Sequence, residues 1–284
     1  MQIVEKYNYK DLKKQEGPSR SYLTPDGEAL PSVTTILSRT KDKTFLKEWR
    51  ARVGEAKAEK IISDSSQIGT ALHLYIEHYV NEHAYKDLTD IGVQAGKMAQ
   101  VIIDHDDGLK KVSEVWGSEV HLYYPGKFAG TTDMVGVYDG RPTIIDFKQT
   151  NRPKKREWVQ DYLMQLAAYA MAHNKLFDTE IDQGVVLMCS RDLLFQRFEL
   201  KGENFVRAGE AFMKKLDLYL QSILYIHLDN SSPLISFAML TLLRSACIIF
   251  SSTVFFATKS IYNTGFFCPI LCALSSDCIL FSKS

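Results

Sequence analysis

Residues 128–148 read FAGTTDMVGVYDGRPTIIDFK, and the architecture is worked out from this segment. Stretches 128–138 and 142–148 are short and rich in aromatic and β-branched residues, the composition of strands. Asp139-Gly140 between them is a strong hairpin turn. An antiparallel pair is therefore expected. Upstream, 112–124 (VSEVWGSEVHLYY) supplies a third strand. Downstream, 156–173 (REWVQDYLMQLAAYAMAH) turns helical, two strands follow at 184–189 and 194–200, and a last helix covers about 203–221.

On the N-terminal side the text is helical. Residues 42–62 carry Phe45, Trp49 and Val53 at i, i+4 and i+8. Further helices are expected over about 68–81 and about 93–105, the latter with Met98, Val101 and Ile102 inward. Residues 22–32 read as a hairpin or loop turning at Pro25-Asp26-Gly27, with Ser32 or Thr34 able to cap the next element. The order is helices, three strands, helix, two strands, helix. It describes an α/β fold: a mixed central β-sheet flanked by helices, with an N-terminal hairpin and helical part over 1–64 and the main core over 65–222. No internal repeat is visible.

The 284 residues carry 34 basic and 34 acidic side chains, so the formal charge is zero. That balance gives no global support to polyanion binding, although an acidic site would partly mask a basic groove. The N-terminus is polar, without the apolar run of a secretory signal. Residues 1–188 hold no cysteine, so no disulfide framework supports the main core and a cytoplasmic setting is expected. The text changes near the end. From Ser231 to Ser284 the charged side chains are Arg244, Lys259, Asp277 and Lys283, and four of the five cysteines lie there. Segment 233–257 is long enough to cross a bilayer, but Arg244 in its middle makes spanning costly. Three readings compete for 223–284: a membrane-associating segment, an ill-formed core helix, or out-of-frame translation.

The chemistry lies on the hairpin. Asp146 and Lys148 are two apart on one strand and project to the same face. The partner strand can bring Asp133 beside them. A charged pair on a strand is usually a solvated face. Here Ile144, Ile145 and Phe147 place the carboxylate at the edge of a buried strand, an unfavourable position without a partner or metal. Two hard carboxylates with an ammonium suit Mg2+ or Mn2+ and phosphodiester hydrolysis. The metal set expected is Asp133, Asp146 and the Phe147 carbonyl, with His73 as a further ligand. Taken alone, His73 would more often be an ordinary, satisfied histidine. Glu77 shares its helix face and serves equally well as an ion-pair partner. Gln165 and Tyr169 are one turn apart on the later helix; Gln165 could orient a water, Lys148 or a nucleotide.

Gly69…His73, Gly130-Thr-Thr-Asp133, Asp146-Phe-Lys148 and Gln165…Tyr169 occur in this order. Together they resemble the RecB-like branch of the PD-(D/E)XK nuclease superfamily over about residues 65–170. Pro31-Ser32-Val33-Thr34-Thr35-Ile36-Leu37, followed by Phe45-Leu46 and Trp49, extends the likeness to exonucleases of that branch with phage and bacterial members. The resemblance implies a restriction-endonuclease-like core. It also implies a Mg2+- or Mn2+-dependent exonuclease that degrades single-stranded DNA or flaps from free ends, in phage or bacterial recombination, repair or turnover. By it Asp133 and Asp146 hold metal with help from His73, Lys148 is catalytic, Gln165 and Tyr169 support the site, and Glu119 is a weaker candidate. Some relatives carry an iron–sulfur cluster with one cysteine before the histidine motif; here no cysteine precedes Cys189, so none is expected. No phosphate loop of a helicase motor is present, so a helicase or single-strand-binding partner is the expected source of any unwinding.

Arg152, Lys154, Lys155 and Arg156 follow the D-x-K strand directly. A lone basic run is usually a solvated loop; beside a metal site it suits phosphate positioning. Trp158, Tyr162 and Tyr169 are possible base-stacking surfaces, though most helix aromatics are core. A structure-specific endonuclease on the same fold and a binding module without catalysis are the other readings.

Overall fold

The computed structural model describes residues 1–17 and 19–229. The tail readings for 230–284 lie outside the described residues. Nine strands and six α-helices run, among those residues, in the order β1 (Gln2–Ile3), β2 (Lys13–Gln15), β3 (Ser21–Leu23), β4 (Ala29–Pro31), α1 (Val33–Arg39), α2 (Thr44–Val53), α3 (Glu55–Val80), α4 (Asp90–Asp104), β5 (Val112–Tyr124), β6 (Phe128–Tyr138), β7 (Arg141–Thr150), α5 (Gln160–Phe177), β8 (Gln183–Ser190), β9 (Phe195–Lys201) and α6 (Glu203–Asp229).

The central sheet is mixed, ordered β1-β5-β6-β7-β8-β9. Asp139 and Gly140 both take positive φ, 51° and 77°, and close the β6–β7 hairpin as the sequence implied. β7 then pairs in parallel with β8, a join that requires a crossover, and α5 supplies it. On one face α3 and α4 pack Ile68, Leu72, Ile76, Met98 and Ile102 against Met134, Tyr138, Ile145, Phe147 and Leu187. α5 lies against β5, β7 and β8. It is rich in buried alanine (167, 168, 170, 172), so its backbone sits close to the strands. Gly184 has no room for a methyl group, because Leu166 Cβ would lie 2.8 Å away.

Three local expectations change. The helix expected over 42–62 is broken at Gly54, whose φ of 86° is open to glycine and strained for other residues. The second half of that stretch runs on unbroken to Val80 as α3. The polar text 63–67 does not interrupt it: Ser65 Oγ donates back to Ile61 O at 2.7 Å, so a residue that often leaves helices satisfies itself inside one. The Phe45–Trp49–Val53 stripe is not a buried face, since α2 has no buried residue. The boundary expected after residue 64 falls inside α3, and Met1–Lys215 form one compact unit.

The expected hairpin at 22–32 is β3 and β4, with a turn closed by Gly27 N donating to Thr24 O at 2.9 Å. A third strand, β2, joins them to form a separate small sheet. Ser32, rather than Thr34, caps α1 by accepting from Thr35 N at 3.0 Å. No helix among the described residues is long and apolar enough to cross a membrane.

Candidate active site

The site lies where two neighbouring strands part. β6 and β7 pair from Tyr138↔Arg141 to Met134↔Ile145 and no further. Beyond that point β7 is paired only with β8, from Asp146↔Val186 to Thr150↔Ser190. The Phe147 N–H therefore has no strand partner on the β6 side. Asp133 Oδ2 accepts from it at 2.7 Å. One backbone amide thus fixes the orientation of the first carboxylate.

Asp146 points to the α5 face and is 1% exposed. Its Oδ1 accepts from Lys148 Nζ at 2.6 Å and from Gln165 Nε2 at 3.2 Å. Its Oδ2 is buried with no hydrogen-bond partner. A buried, unmatched carboxylate oxygen is unfavourable and calls for a cation. Burial pushes the Asp146 carboxyl up to about 6, against the pull of Lys148 and with Asp133 adding to the rise. Burial alone would lower Lys148, but Asp146 and Asp133 outweigh it and keep the ammonium charged. The ammonium also lies 5.3 Å from the Tyr162 ring centroid on α5.

His73 comes from α3, one turn after Gly69. Its Nδ1 is 3.5 Å from Asp133 Oδ1 and 3.9 Å from Glu119 Oε1. Burial pulls the imidazole pKa down, but Asp133, Glu119 and Asp146 outweigh this and leave it above the ordinary value. His73, Glu119 and Asp133 each offer a ligand atom, all within 4.8 Å of one another. Glu119 lies between the pairs Ser118↔Met134 and Val120↔Thr132, across the ladder from Asp133. Like charges placed opposite each other destabilise a sheet unless a cation lies between them. Glu119 also has a φ of +52° inside a strand, a conformation that costs about 1–3 kcal/mol and clusters at functional sites. These residues fit a divalent metal: a His/Glu/Asp donor set on one side and the unmatched Asp146 oxygen on the other.

Tyr169 is buried one turn beyond Gln165, and burial raises its phenol well above the ordinary range. Its ring fills the space that a Gly130 side chain would take, since a Cβ there would be 2.8 Å from Tyr169 Cε1. Two hollows meet at Asp133 and Glu119. One, of about 420 Å³, runs past Gly130, Gln165 and Tyr169 to Tyr22, Lys14 and Arg20 of the small sheet. The other, of about 390 Å³, runs along α3 past Gly69, His73 and Glu77. Lys14, Arg20 and Tyr22 carried no sequence signal for this role; β2–β3 pairing sets Lys14 opposite Tyr22, whose Oη meets Thr131 Oγ1 at 3.1 Å.

The basic segment after β7 is a built loop. Gln196 on β9 clamps Lys154 from both sides, accepting from its N at 2.7 Å and donating to its O at 2.9 Å. Arg156 Nη2 donates to Glu199 O at 2.9 Å. Arg152 and Lys155 stand exposed. The structure therefore gathers Asp133, Asp146, Lys148, Gln165, Tyr169, His73 and the Phe147 backbone at one place, with Glu119 added. The basic segment follows the end of β7 and is held against β9.

No family model matches the chain. Human mitochondrial genome maintenance exonuclease 1 is 27% identical over 177 residues, 57% of this chain and 50% of the relative. The proteins of the same name from Xenopus tropicalis and mouse are 23% and 25% identical, over 62% and 58% of this chain and 52% and 51% of theirs. The chain spans about half the length of these curated relatives. A crystal structure from Eubacterium rectale, of a protein named as a candidate exonuclease, has a TM-score of 0.43 at 13% identity, covering 60% of this chain and 69% of that one. The chain thus resembles exonucleases of the PD-(D/E)XK type, in its relatives as in its motifs.

Proposed function

We propose that this chain is a metal-dependent nuclease that hydrolyses DNA phosphodiester bonds, acting as an exonuclease on single strands or flaps with free ends. The observation that carries the reading is the buried Asp146 carboxylate with one oxygen unmatched, set beside Asp133 and Lys148. DNA enters from the relatives' name, which refers to genome maintenance.

His73, Glu119, Asp133, Asp146 and the Phe147 carbonyl would hold Mg2+ or Mn2+. Such an ion, when bound, polarises phosphate oxygens and acidifies a water. The chain's own residues prepare the rest. Phe147 N–H and His73 orient Asp133. Lys148 and Gln165 both donate to Asp146 Oδ1, and that carboxylate holds the ammonium in place and charged beside the Tyr162 ring. There its ammonium neutralises charge that builds on the phosphate during attack. Arg152, Lys154, Lys155 and Arg156 meet the flanking backbone, which positions the strand without reading its sequence.

The test uses end-labelled single- and double-stranded DNA with Mg2+ or Mn2+. Wild type degrades single strands only when metal is present, and Lys148→Ala and Asp146→Asn slow cleavage by about 10²–10⁴-fold. Metal-independent cleavage, or variants as active as wild type, would overturn the assignment. Cleavage of closed circular single strands would reassign the chain as an endonuclease. Binding without cleavage by folded wild type would make it a binding module.

A further inference from the structure

A third hollow lies outside the metal site. It measures about 600 Å³ and sits between the start of α2 and the 3-10 turn (Arg156–Val159) that leads into α5. Its walls include two large apolar side chains that the fold leaves in water: Phe45, 74% exposed, and Trp158, 59% exposed. Three ammonium groups, Lys41, Lys154 and Lys215, share the same hollow. Three carboxylates share it too, but Asp161 is held by Lys41 at 2.6 Å and Asp42 accepts from Thr44 N at 2.8 Å. Lys154 has no ion pair among the described residues. Burial and the neighbouring Lys41 both depress its pKa. Lys155 Nζ stands 5.7 Å from the Trp158 ring centroid.

The hollow borders the first turn of α5, the helix whose Tyr162 faces Lys148. Lys148 Nζ faces the Tyr162 ring, and Trp158 precedes Tyr162 by four residues on the same helical run. That is about 6 Å along the axis, on the order of one nucleotide step. We propose that Phe45 and Trp158 form a stacking subsite for a nucleobase of a single DNA strand, one or two nucleotides from the reacting phosphate, with Lys154 meeting the adjoining phosphate. Exposed aromatic faces beside cations are how single strands are bound without sequence preference. The inference rests on the nuclease reading for its choice of DNA, but its test does not require cleavage.

The experiment measures affinity of the full chain, in EDTA, for a twelve-nucleotide thymidylate strand and for the same strand without bases. Wild type prefers the strand with bases. Trp158→Ala cuts that preference about tenfold and Trp158→Phe restores most of it, while Phe45→Ala acts in the same direction. Lys154→Gln weakens both strands alike and lowers the salt slope by roughly 0.7. Equal loss on both strands in Trp158→Ala, or no loss, overturns the subsite. A uridylate strand bound more tightly than the thymidylate one overturns the commitment to DNA. If the base-dependent loss is found in a chain that never cleaves, the subsite stands and the nuclease reading falls. If cleavage is found without that loss, the reverse holds.

Discussion

Two glycines of the site make opposite demands. At Gly130 a methyl group would sit 2.8 Å from the Tyr169 ring, which is itself fully enclosed. Gly130→Ala is therefore expected to destabilise the fold by about 1–3 kcal/mol and to lower cleavage by moving Tyr169 and Gln165. At Gly69 the nearest atom is Gln149 Cγ at 3.7 Å, an ordinary contact, and the residue is helical. Gly69→Ala is expected to be neutral or to stabilise by up to about 1 kcal/mol. Thermal melts of both variants check the pair. A Gly69→Ala protein that melts normally but cleaves poorly would show that substrate passes close to this backbone. Asp133, Asp146 and Lys148 were legible in the sequence because a two-residue period and a strong turn fix which side chains meet. Glu119 was far less so. It is one acidic residue among 34, and its left-handed backbone conformation has no signature in the text.

Among the elements, α5 carries most of the site's consequences. Beyond Gln165 and Tyr169 it buries His173, whose Nε2 meets Tyr9 Oη at 3.0 Å and whose Nδ1 meets Thr179 Oγ1 at 2.8 Å. Tyr7 and Phe177 pack around the ring. Burial, with Lys6 nearby, pushes the imidazole down to about 4. A folded-state pKa below the unfolded value contributes stability that is complete above about 6.5 and is lost as pH falls through about 4. The loss amounts to roughly 3 kcal/mol at most. Denaturation midpoints from pH 7 to pH 4 should fall accordingly, and His173→Gln should flatten that dependence. The strands and α5 were readable from periodicity. The break between α2 and α3 was marked only by Gly54, within a charged run where a lone glycine is weak evidence. β2 was not readable at all. Lys13–Gln15 is exposed and without alternation, and it is a strand only because β3 offers it an edge.

For the whole molecule, the neutral charge balance concealed a local arrangement. Glu119, Asp133 and Asp146 lie close together, while Arg152, Lys154, Lys155 and Arg156 cluster after β7, an unevenness that a sum of zero does not reveal. Since His73, Glu119, Asp133 and Asp146 belong to separate elements, a metal bound by the folded chain stabilises the fold as a unit. At 100 times its Kd the gain is about 2.7 kcal/mol, or several degrees in melting temperature. Mn2+ should raise the wild-type midpoint, and Asp133→Asn with Glu119→Gln should abolish the rise; an equal rise in that double variant would rule out these ligands. The parting of β6 from β7 has a mechanical side. The sheet is a fork: one prong, the start of β6, is held by β5, and the other, the end of β7, by β8. Among the described residues a side-chain bond, Phe147 N–H donating to Asp133 Oδ2, bridges the crotch. An ion gripped by ligands on both prongs would act as a staple across that fork. Loading the site then stiffens the sheet at that seam, and amide exchange along 146–150 slows in step with occupancy.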